Sequence, residues 1–266
     1  MNDNDIMDDE KFPIITAEIT QLILEEQAEI SNAHILKIIT ESRARILKLL
    51  KSRNKHFFSN IENSDAFLRS HVDSKVHLII LYIDIAGSTH LSTVLPLNDL
   101  TTILQVFTQE MTIVIVNNYG YVLKYVGDAI IAYFPVNDNF SLTSRNAIYC
   151  ALNMLTIVDQ AINPVLREFN FPELHVKIGI DSGENAIVEY AFSRKSSHID
   201  IIGYPMNIAA KITALAKPNH ILIGNTTYLS LNPKLDHALR RLGLENSEYI
   251  DYQTGDAYVI YSFTFR

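Results

Sequence analysis

Cysteine is nearly absent from this sequence. Its 266 residues include one, Cys150, so no disulfide can form within the chain, and a reducing compartment is the natural environment. Long apolar runs are missing as well. The longest, from Val76 to Ile85, is interrupted by His77, Tyr82 and Asp84 and falls short of the roughly 18 to 20 residues that a membrane-spanning helix needs. We therefore expect no transmembrane segment.

Basic residues are fewer than acidic ones. The chain has 22 Lys and Arg against 30 Asp and Glu, a net charge of -8, which argues against a nucleic-acid-binding surface. The first residues, MNDNDIMDDEKFP, are acidic and lack the basic region and apolar core of a secretory signal. We expect a cytoplasmic protein without membrane insertion. A phosphate-bearing small ligand remains compatible with this charge, because metal ions can balance it locally.

Three segments of the chain differ in pattern. Residues 1–13 form an acidic tail that is too polar to bury much surface, so we expect it to be disordered. Over residues 14–70, Ile and Leu recur at helical spacing, which predicts a helical extension that packs on the main domain or on a second copy of it. Residues 71–266 form the main domain. We expect the basic residues of the extension to make a solvated helix face; they are Arg43, Arg45, Lys48, Lys51, Arg53 and Lys55.

The main domain alternates strands with helices. The predicted strands are Val76–Ile85, Tyr121–Val126, Ile130–Phe134, Val176–Asp181 with a continuation over Ala186–Tyr190, Ile199–Ile202, Ile221–Ile223 and a closing strand in AYVIYSFTF. The predicted helices are Leu97–Asn117, Ser141–Ala161 and Pro205–Ala216. The order β-α-β-β-α-β with further strands predicts an α+β sandwich of the ferredoxin-like kind.

Two aspartates stand where neighbouring strands of this unit end. Asp84 lies inside the apolar segment LIILYIDIAGSTHLS, where an unpaired carboxylate is costly, and Asp128 lies in the predicted turn of the following hairpin. Because the first strand and that hairpin are neighbours in a β-α-β-β unit, the two carboxylates converge. Converging carboxylates favour a hard divalent cation such as Mg²⁺. Taken alone, Asp128 beside Gly127 is more typical of turn chemistry.

The loop Ala86-Gly87-Ser88-Thr89 follows Asp84 directly and precedes a helix. Its backbone N–H groups, with close approach allowed at Gly87, are suited to bind phosphate oxygens, so Gly87, Ser88 and Thr89 are candidate nucleotide contacts. The same residues would also serve as a simple helix cap. Together with the two carboxylates, the loop predicts a site for a metal-bound triphosphate.

Four segments, YIDIAGSTHLS, LKYVGDAIIAYF, VKIGIDSGENAIVEY and IDIIGYPMNIAAKI, resemble in order and spacing the conserved blocks of the class III nucleotidyl cyclase domain. The resemblance covers roughly residues 75–225. It implies conversion of a nucleoside triphosphate to a 3′,5′-cyclic monophosphate and pyrophosphate. It also implies two divalent cations, Mg²⁺ or Mn²⁺, and a homodimer whose composite active sites lie across the interface.

The resemblance also implies roles for single residues. Asp84 and Asp128 match the two metal-binding aspartates, and the carbonyl of Ile85 matches a backbone ligand to the second ion. Lys124 matches the residue that reads the base in adenylate cyclases, and Asp200 matches its acidic partner.

Two further matches lie in the last segment. Asn207 matches the asparagine that orients the ribose. Lys211 stands where the family usually has an arginine that stabilises charge developing on the phosphate. Lysine keeps the charge but lacks the planar two-pronged donor, so a weaker transition-state contact is expected. This departure is the feature that favours a degenerate domain that only binds nucleotide.

The preferred base is the open question. Lys124 with Asp200 is the adenine-type pair, which favours ATP. Tyr82 lies two residues before Asp84, on the same strand face, where adenylate cyclases commonly have phenylalanine. Its hydroxyl either suits a smaller pyrimidine ring or simply packs with a backbone partner.

A class III domain preceded only by a short helical segment resembles the pyrimidine cyclases of bacterial antiphage defence, the Pycsar system. That resemblance implies that UTP or CTP is converted to cUMP or cCMP, which activates a separate effector. We expect this activity, with an adenylate cyclase that uses ATP as the alternative.

Overall fold

The computed structural model describes residues 32–51, 61–193, 196–231, 238–242, 250–251 and 255–263. Its helices are α1 (Asn32–Lys51), α2 (Ile61–Arg69), α3 (Ser88–Val94), α4 (Leu97–Asn117), α5 (Phe140–Ile157), α6 (Asn163–Glu168), α7 (Tyr204–Leu215) and α8 (Asn225–Ser230). Its strands are β1 (Lys75–Ile85), β2 (Tyr121–Val126), β3 (Ala129–Pro135), β4 (Val176–Ser193), β5 (Ser196–Ile202), β6 (His220–Gly224), β7 (Leu239–Leu242) and β8 (Ile260–Phe263). The predicted tail 1–13 lies outside the described residues, and the boundary predicted at residue 70 stays a prediction.

The described strands form one mixed sheet in the order β2-β3-β1-β4-β6-β8-β7, and β5 pairs with β4 outside that order. β1 is antiparallel to β3 and β4, whereas β6 is parallel to β4. The first four strands and their helices follow the chain order β-α-β-β-α-β and the sheet order 2-3-1-4. The α+β, ferredoxin-like prediction is therefore confirmed.

The alternation of side chains along β1 separates two apolar clusters. One face packs into the main core beneath α4 and α5 with Ile79, Leu81, Ile83 and Ile85. The other face contributes Leu78, Ile80 and Tyr82 to a smaller cluster. Successive strand residues point to opposite sides of a sheet, so Asp84 lies on the same face as this smaller cluster. The position of Asp84 in the apolar run thus sets the face on which the site is built.

The helix predicted over 141–161 is interrupted in the structure. α5 ends at Ile157, a π-helical turn covers Val158–Ile162, and α6 begins at Asn163 with a proline in its first turn. Pro164 has no N–H group, so it cannot donate to the carbonyl of Gln160. That carbonyl instead accepts a hydrogen bond from Nε of Arg43, at 2.7 Å. The proline therefore creates the acceptor to which α1 binds.

Arg45 ties α1 to α4. Its Nη2 lies 2.7 Å from Oε2 of Glu110, which is 1% exposed, and its Nε lies 3.1 Å from Oε1. Ser42 donates a further hydrogen bond to Glu110 at 2.7 Å. The expectation of a solvated basic face is wrong for Arg45, because it is bound to a buried carboxylate. Arg43, Lys48 and Lys51 are exposed, although Arg43 also binds the carbonyl of Gln160, and Arg53 and Lys55 lie outside the described residues.

We expect Arg45→Met to lower the free energy of unfolding by about 3–5 kcal/mol, because it leaves the buried Glu110 carboxylate without its cation. Lys37→Met is the control. It breaks an exposed pair with Glu41 at 3.9 Å and should cost less than about 0.5 kcal/mol. Urea unfolding measures both values, and adding Glu110→Met to Arg45→Met should recover part of the loss. Equal effects of Arg45→Met and Lys37→Met would contradict the docking described for α1.

Asp181 lies on β4 and is buried, with 1% of its surface exposed. Tyr258 donates a hydrogen bond to its Oδ1 at 2.6 Å, and Gly224 passes so close that a Cβ there would collide with the carboxyl group. Burial raises the pKa of Asp181 to about 7. The folded state therefore holds a proton on Asp181 that the unfolded chain releases near its ordinary value of 3.8.

This pKa predicts a pH-dependent stability. The protonated group stabilises the fold fully below pH 3.8, and that contribution is lost as pH rises towards about 7. Between pH 5 and pH 8 the loss from this group should be about 2–3 kcal/mol. Asp181→Asn keeps an acceptor for Tyr258 and should remove this dependence, raising stability at pH 8 relative to wild type. Urea titrations at both pH values test it, and parallel curves for the two proteins would contradict it.

Among the described residues, α4 alone is long and apolar enough to cross a membrane when judged by length and composition. In the fold α4 is a core helix. Ile103, Phe107, Met111 and Ile115 are fully buried in the main cluster, and Glu110 binds Arg45. The longest apolar run in the sequence is instead the central strand β1.

Candidate active site

Asp84 and Asp128 meet at one end of the sheet. Asp84 is the penultimate residue of β1, and Asp128 lies in the turn between β2 and β3, where Gly127 has a φ of 64° that favours glycine. Their carboxyl groups lie within hydrogen-bonding contact. The pKa of Asp84 is raised to about 6, mainly by burial and to a lesser extent by the neighbouring Asp128. Oδ2 of Asp128 is buried and has no hydrogen-bond partner among the described residues.

This pair fits a divalent cation. Two half-buried carboxylates in contact repel when both are ionised, and a cation relieves the repulsion while giving the orphaned oxygen a partner. The described residues contain no group of three or more His, Cys, Asp or Glu side chains arranged for a metal. Further ligands would therefore come from a backbone carbonyl, such as that of Ile85, or from phosphate oxygens. The side chain of Ile85 itself is buried in the core.

Lys177 is a further neighbour of the Asp84–Asp128 pair, and it was not among the site residues predicted from the sequence. It stands directly opposite Asp84 on β4, and its charge acts to lower the pKa of Asp84, against the larger effects that raise it. Nζ of Lys177 also donates to the carbonyl of Ala214 at the end of α7, at 3.4 Å. Asp84 and Lys177 are 93 positions apart in sequence, so only the register between β1 and β4 shows that they are neighbours.

The predicted phosphate loop is short. Gly87 has a φ of 74°, a conformation that favours glycine, and the helix α3 begins at Ser88 without a side-chain cap. Ser88 and Thr89 thus lie in the first helical turn, where backbone N–H groups have no intrahelical acceptor. Their role in phosphate binding stays a prediction.

The two predicted base-reading residues meet across the sheet. Nζ of Lys124 on β2 lies 2.6 Å from Oδ2 of Asp200 on β5, and Oδ1 of Asp200 accepts the N–H of Ile201 at 2.9 Å. Tyr82 is half-buried nearby. Its pKa is raised by burial and, to a lesser extent, by the charge of Asp200. Tyr82 therefore lies near Asp200, and it shares its strand and strand face with Asp84.

His198 also lies beside this pair, with its side chain 61% exposed. Its Nε2 lies 4.0 Å from Oδ2 of Asp200, and its ring stacks on Tyr190 with centroids 6.4 Å apart. The period of two along a strand places residues 198 and 200 on one face. The sequence therefore contained the signal that could have found His198.

Asn207 and Lys211 lie on α7, one turn apart. Both are exposed, whereas Met206, Ile208, Ala209 and Ile212 of the same helix are buried against the sheet. The spacing of four places Asn207 and Lys211 on the same helix face. Within one chain they form a surface separate from the buried side of α7.

Comparison with known proteins decides the family. Residues 70–247, more than half of the chain and including every site residue named above, match the adenylate and guanylate cyclase catalytic domain. The chain belongs to this family. The cyclase domain is 24% identical over 194 residues to a cytidylate cyclase from Escherichia coli, a match that covers 68% of this chain and 38% of that protein.

Two solved structures share the fold of this cyclase domain. The adenylyl cyclase CyaB from P. aeruginosa superposes with a TM-score of 0.60 and 19% identity, covering 72% of this chain and 95% of the other. The guanylyl cyclase Cya2 superposes with a TM-score of 0.62 and 20% identity, covering 72% of this chain and 93% of the other. The matched part of this chain spans 24% of the first curated relatives and 38% of the cytidylate cyclase, so it corresponds to a fraction of those longer proteins.

Proposed function

We propose that this cyclase domain converts a nucleoside triphosphate to a 3′,5′-cyclic mononucleotide and pyrophosphate. Two divalent cations, Mg²⁺ or Mn²⁺, would be held by Asp84, Asp128 and the carbonyl of Ile85. The observation that carries this proposal is the contact between the two carboxyl groups, with the raised pKa of Asp84 and the orphaned oxygen of Asp128. Asp84 ionises above about pH 6, and a cation beside the pair then relieves the repulsion between the two carboxylates.

The reaction joins the ribose 3′-oxygen to the α-phosphorus, breaks the bond from that phosphorus to pyrophosphate, and releases the 3′-hydroxyl proton. When bound, the cations would lower the pKa of the ribose 3′-hydroxyl and stabilise the negative charge on the phosphate oxygens. The chain's own residues position the substrate. Lys124 and Asp200 hold the base, Asn207 orients the ribose, and Lys211 places a positive charge near the phosphate, which is the electrostatic part of catalysis.

We further propose that the active form is a homodimer with composite sites, in which one protomer supplies Asp84 and Asp128 and its partner supplies the base and ribose contacts. The exposed positions of Asn207 and Lys211 on α7 support this arrangement. A separated protomer would then be inactive.

For the base, we propose a pyrimidine, as UTP or CTP. The position of Tyr82 near Asp200 supports this choice, because its hydroxyl adds a polar group beside the base-reading pair that phenylalanine lacks. The similarity to the E. coli cytidylate cyclase points the same way. ATP is the alternative, favoured by the preformed pair of Lys124 and Asp200, which offers a donor beside an acceptor.

The biological setting follows from the product. We propose a cytoplasmic enzyme of antiphage defence, whose cyclic pyrimidine nucleotide activates a separate effector protein. Similarity to cytidylate cyclases supports this proposal.

Incubation of the purified protein with Mn²⁺ and an equal mixture of ATP, GTP, CTP and UTP tests the proposal by mass spectrometry of the products. We expect cCMP or cUMP to dominate. Tyr82→Phe should change the ratio of cyclic pyrimidine to cyclic purine product by about three- to tenfold, the effect of one hydrogen bond, while total turnover changes less. A dominant cAMP product would favour the alternative substrate, ATP. An equal loss of turnover on every triphosphate in Tyr82→Phe would contradict base reading by Tyr82. If no triphosphate releases pyrophosphate, the domain only binds nucleotide.

A further inference from the structure

The base-reading pair bridges two strands that do not pair with each other. β2 is an edge strand of the sheet, whereas β5 hydrogen-bonds only to β4 within the described sheet. β1 pairs with β4 as far as Ala186, and β5 pairs with the part of β4 from Ala186 onward. The β4–β5 hairpin is therefore an arm that extends past β1, and no backbone ladder sets the distance between Lys124 and Asp200.

The helix α2 contacts both strands. On the β2 side, Phe67 stacks on Tyr121, with ring centroids 5.5 Å apart. Leu68, 3% exposed, belongs to the apolar cluster that contains Leu123 of β2 and also Ile199 and Ile201 of β5. These residues are adjacent to Lys124 and Asp200 along their strands, so α2 packs against the immediate sequence neighbours of both members of the pair.

Polar contacts tie the same helix to the arm. Nη1 of Arg69 donates to Oγ of Ser197 at 3.0 Å and lies 3.7 Å from Oε1 of Glu189 on β4, while Asp65 orients the guanidinium at 2.6 Å. Two backbone hydrogen bonds just after α2 also connect this part of the chain to β4. The N–H of Asp73 donates to the carbonyl of Ile187 at 3.0 Å, and the N–H of Ile187 donates to the carbonyl of Ser74 at 3.1 Å.

We propose that α2 is a brace that sets the position of the base-reading pair, with Arg69 as a positioning residue that acts on Asp200 through β5. The N-terminal extension then controls how well the arm presents its carboxylate to the base, without touching substrate or metal. This inference rests on the proposed function, which gives the Lys124–Asp200 pair its role in base reading.

A double-mutant cycle between Arg69→Met and Lys124→Met tests the brace. In the wild-type background, Arg69→Met should raise KM for the preferred triphosphate about two- to fivefold, as for a partly exposed ionic contact, with kcat changed less. In the Lys124→Met background the same substitution should raise KM by less than about 1.5-fold, because residues that act through one contact are not additive. Arg69→Lys should recover part of the loss.

Arg167→Met is the matched control. Arg167, on α6, makes a surface pair with Glu173 at 3.2 Å, and its replacement should leave KM unchanged in both backgrounds. The same cycle is measured on triphosphate dissociation constants by calorimetry with Ca²⁺. If the wild-type protein shows no turnover, the proposed function is overturned, but the double-mutant cycle can still be measured on the dissociation constants. Equal factors in the two backgrounds, or an effect of Arg69→Met no larger than that of Arg167→Met, would overturn the brace.

Discussion

Asp84→Asn should abolish cyclisation and at the same time stabilise the metal-free protein. Turnover should fall by about 10³-fold or more, because one of the two carboxylates that hold the cations is lost. Without metal, the free energy of unfolding at pH 7.5 should rise by about 1–2 kcal/mol. Burial and Asp128 raise the pKa of Asp84 to about 6, so its charge is unfavourable above that pH, and the half-buried site screens part of the effect.

Differential scanning calorimetry with and without Mn²⁺ distinguishes this outcome from simple damage to the fold. Wild type should gain thermal stability from Mn²⁺, since a ligand that binds only the folded state stabilises it, and Asp84→Asn should not. Asp128→Asn should behave in the same way. Asp138→Asn, an exposed position before α5, is the control and should leave turnover and the Mn²⁺ effect intact. A variant at Asp84 with near-normal turnover would refute the metal site.

Two inactive variants should restore each other's activity when they are mixed. If Asp84 and Asn207 act from different protomers, a heterodimer of Asp84→Asn with Asn207→Ala contains one site with both residues intact. After subunit exchange in equal amounts, half of the dimers are mixed and each has one working site of two. We therefore expect about a quarter of wild-type turnover from proteins that are nearly inactive alone.

The pairing of variants decides this test. Asp84→Asn mixed with Asp128→Asn should stay inactive, because both residues come from the same protomer in the proposed site and every site in the mixed dimer lacks one of them. Pyrophosphate release measured after co-incubation follows both mixtures. Recovery in both, or in neither, would contradict the composite arrangement.

Several features were readable from residue order. The bounds of α4 and β2 agree with the predicted Leu97–Asn117 and Tyr121–Val126, since apolar periodicity and the turn at Asn118–Gly120 mark them clearly. The contact between Asp84 and Asp128 was also expected, because the first strand and the next hairpin are neighbours in a β-α-β-β unit. The short helices α3 and α8 and the strand β7 were not predicted, because segments of four to seven residues contain too little periodicity.

Local chemistry thus determined the strands, the helices and the two aspartates at the strand ends, because each depends on side-chain spacing over a few residues. The tertiary structure alone decided the partners of Arg45 and Lys177. Arg45 is 65 residues from Glu110 in sequence, and Lys177 is 93 residues from Asp84, so no local pattern encodes either contact. Their contacts arise from strand register and helix docking, which depend on the burial of the whole core rather than on any one segment.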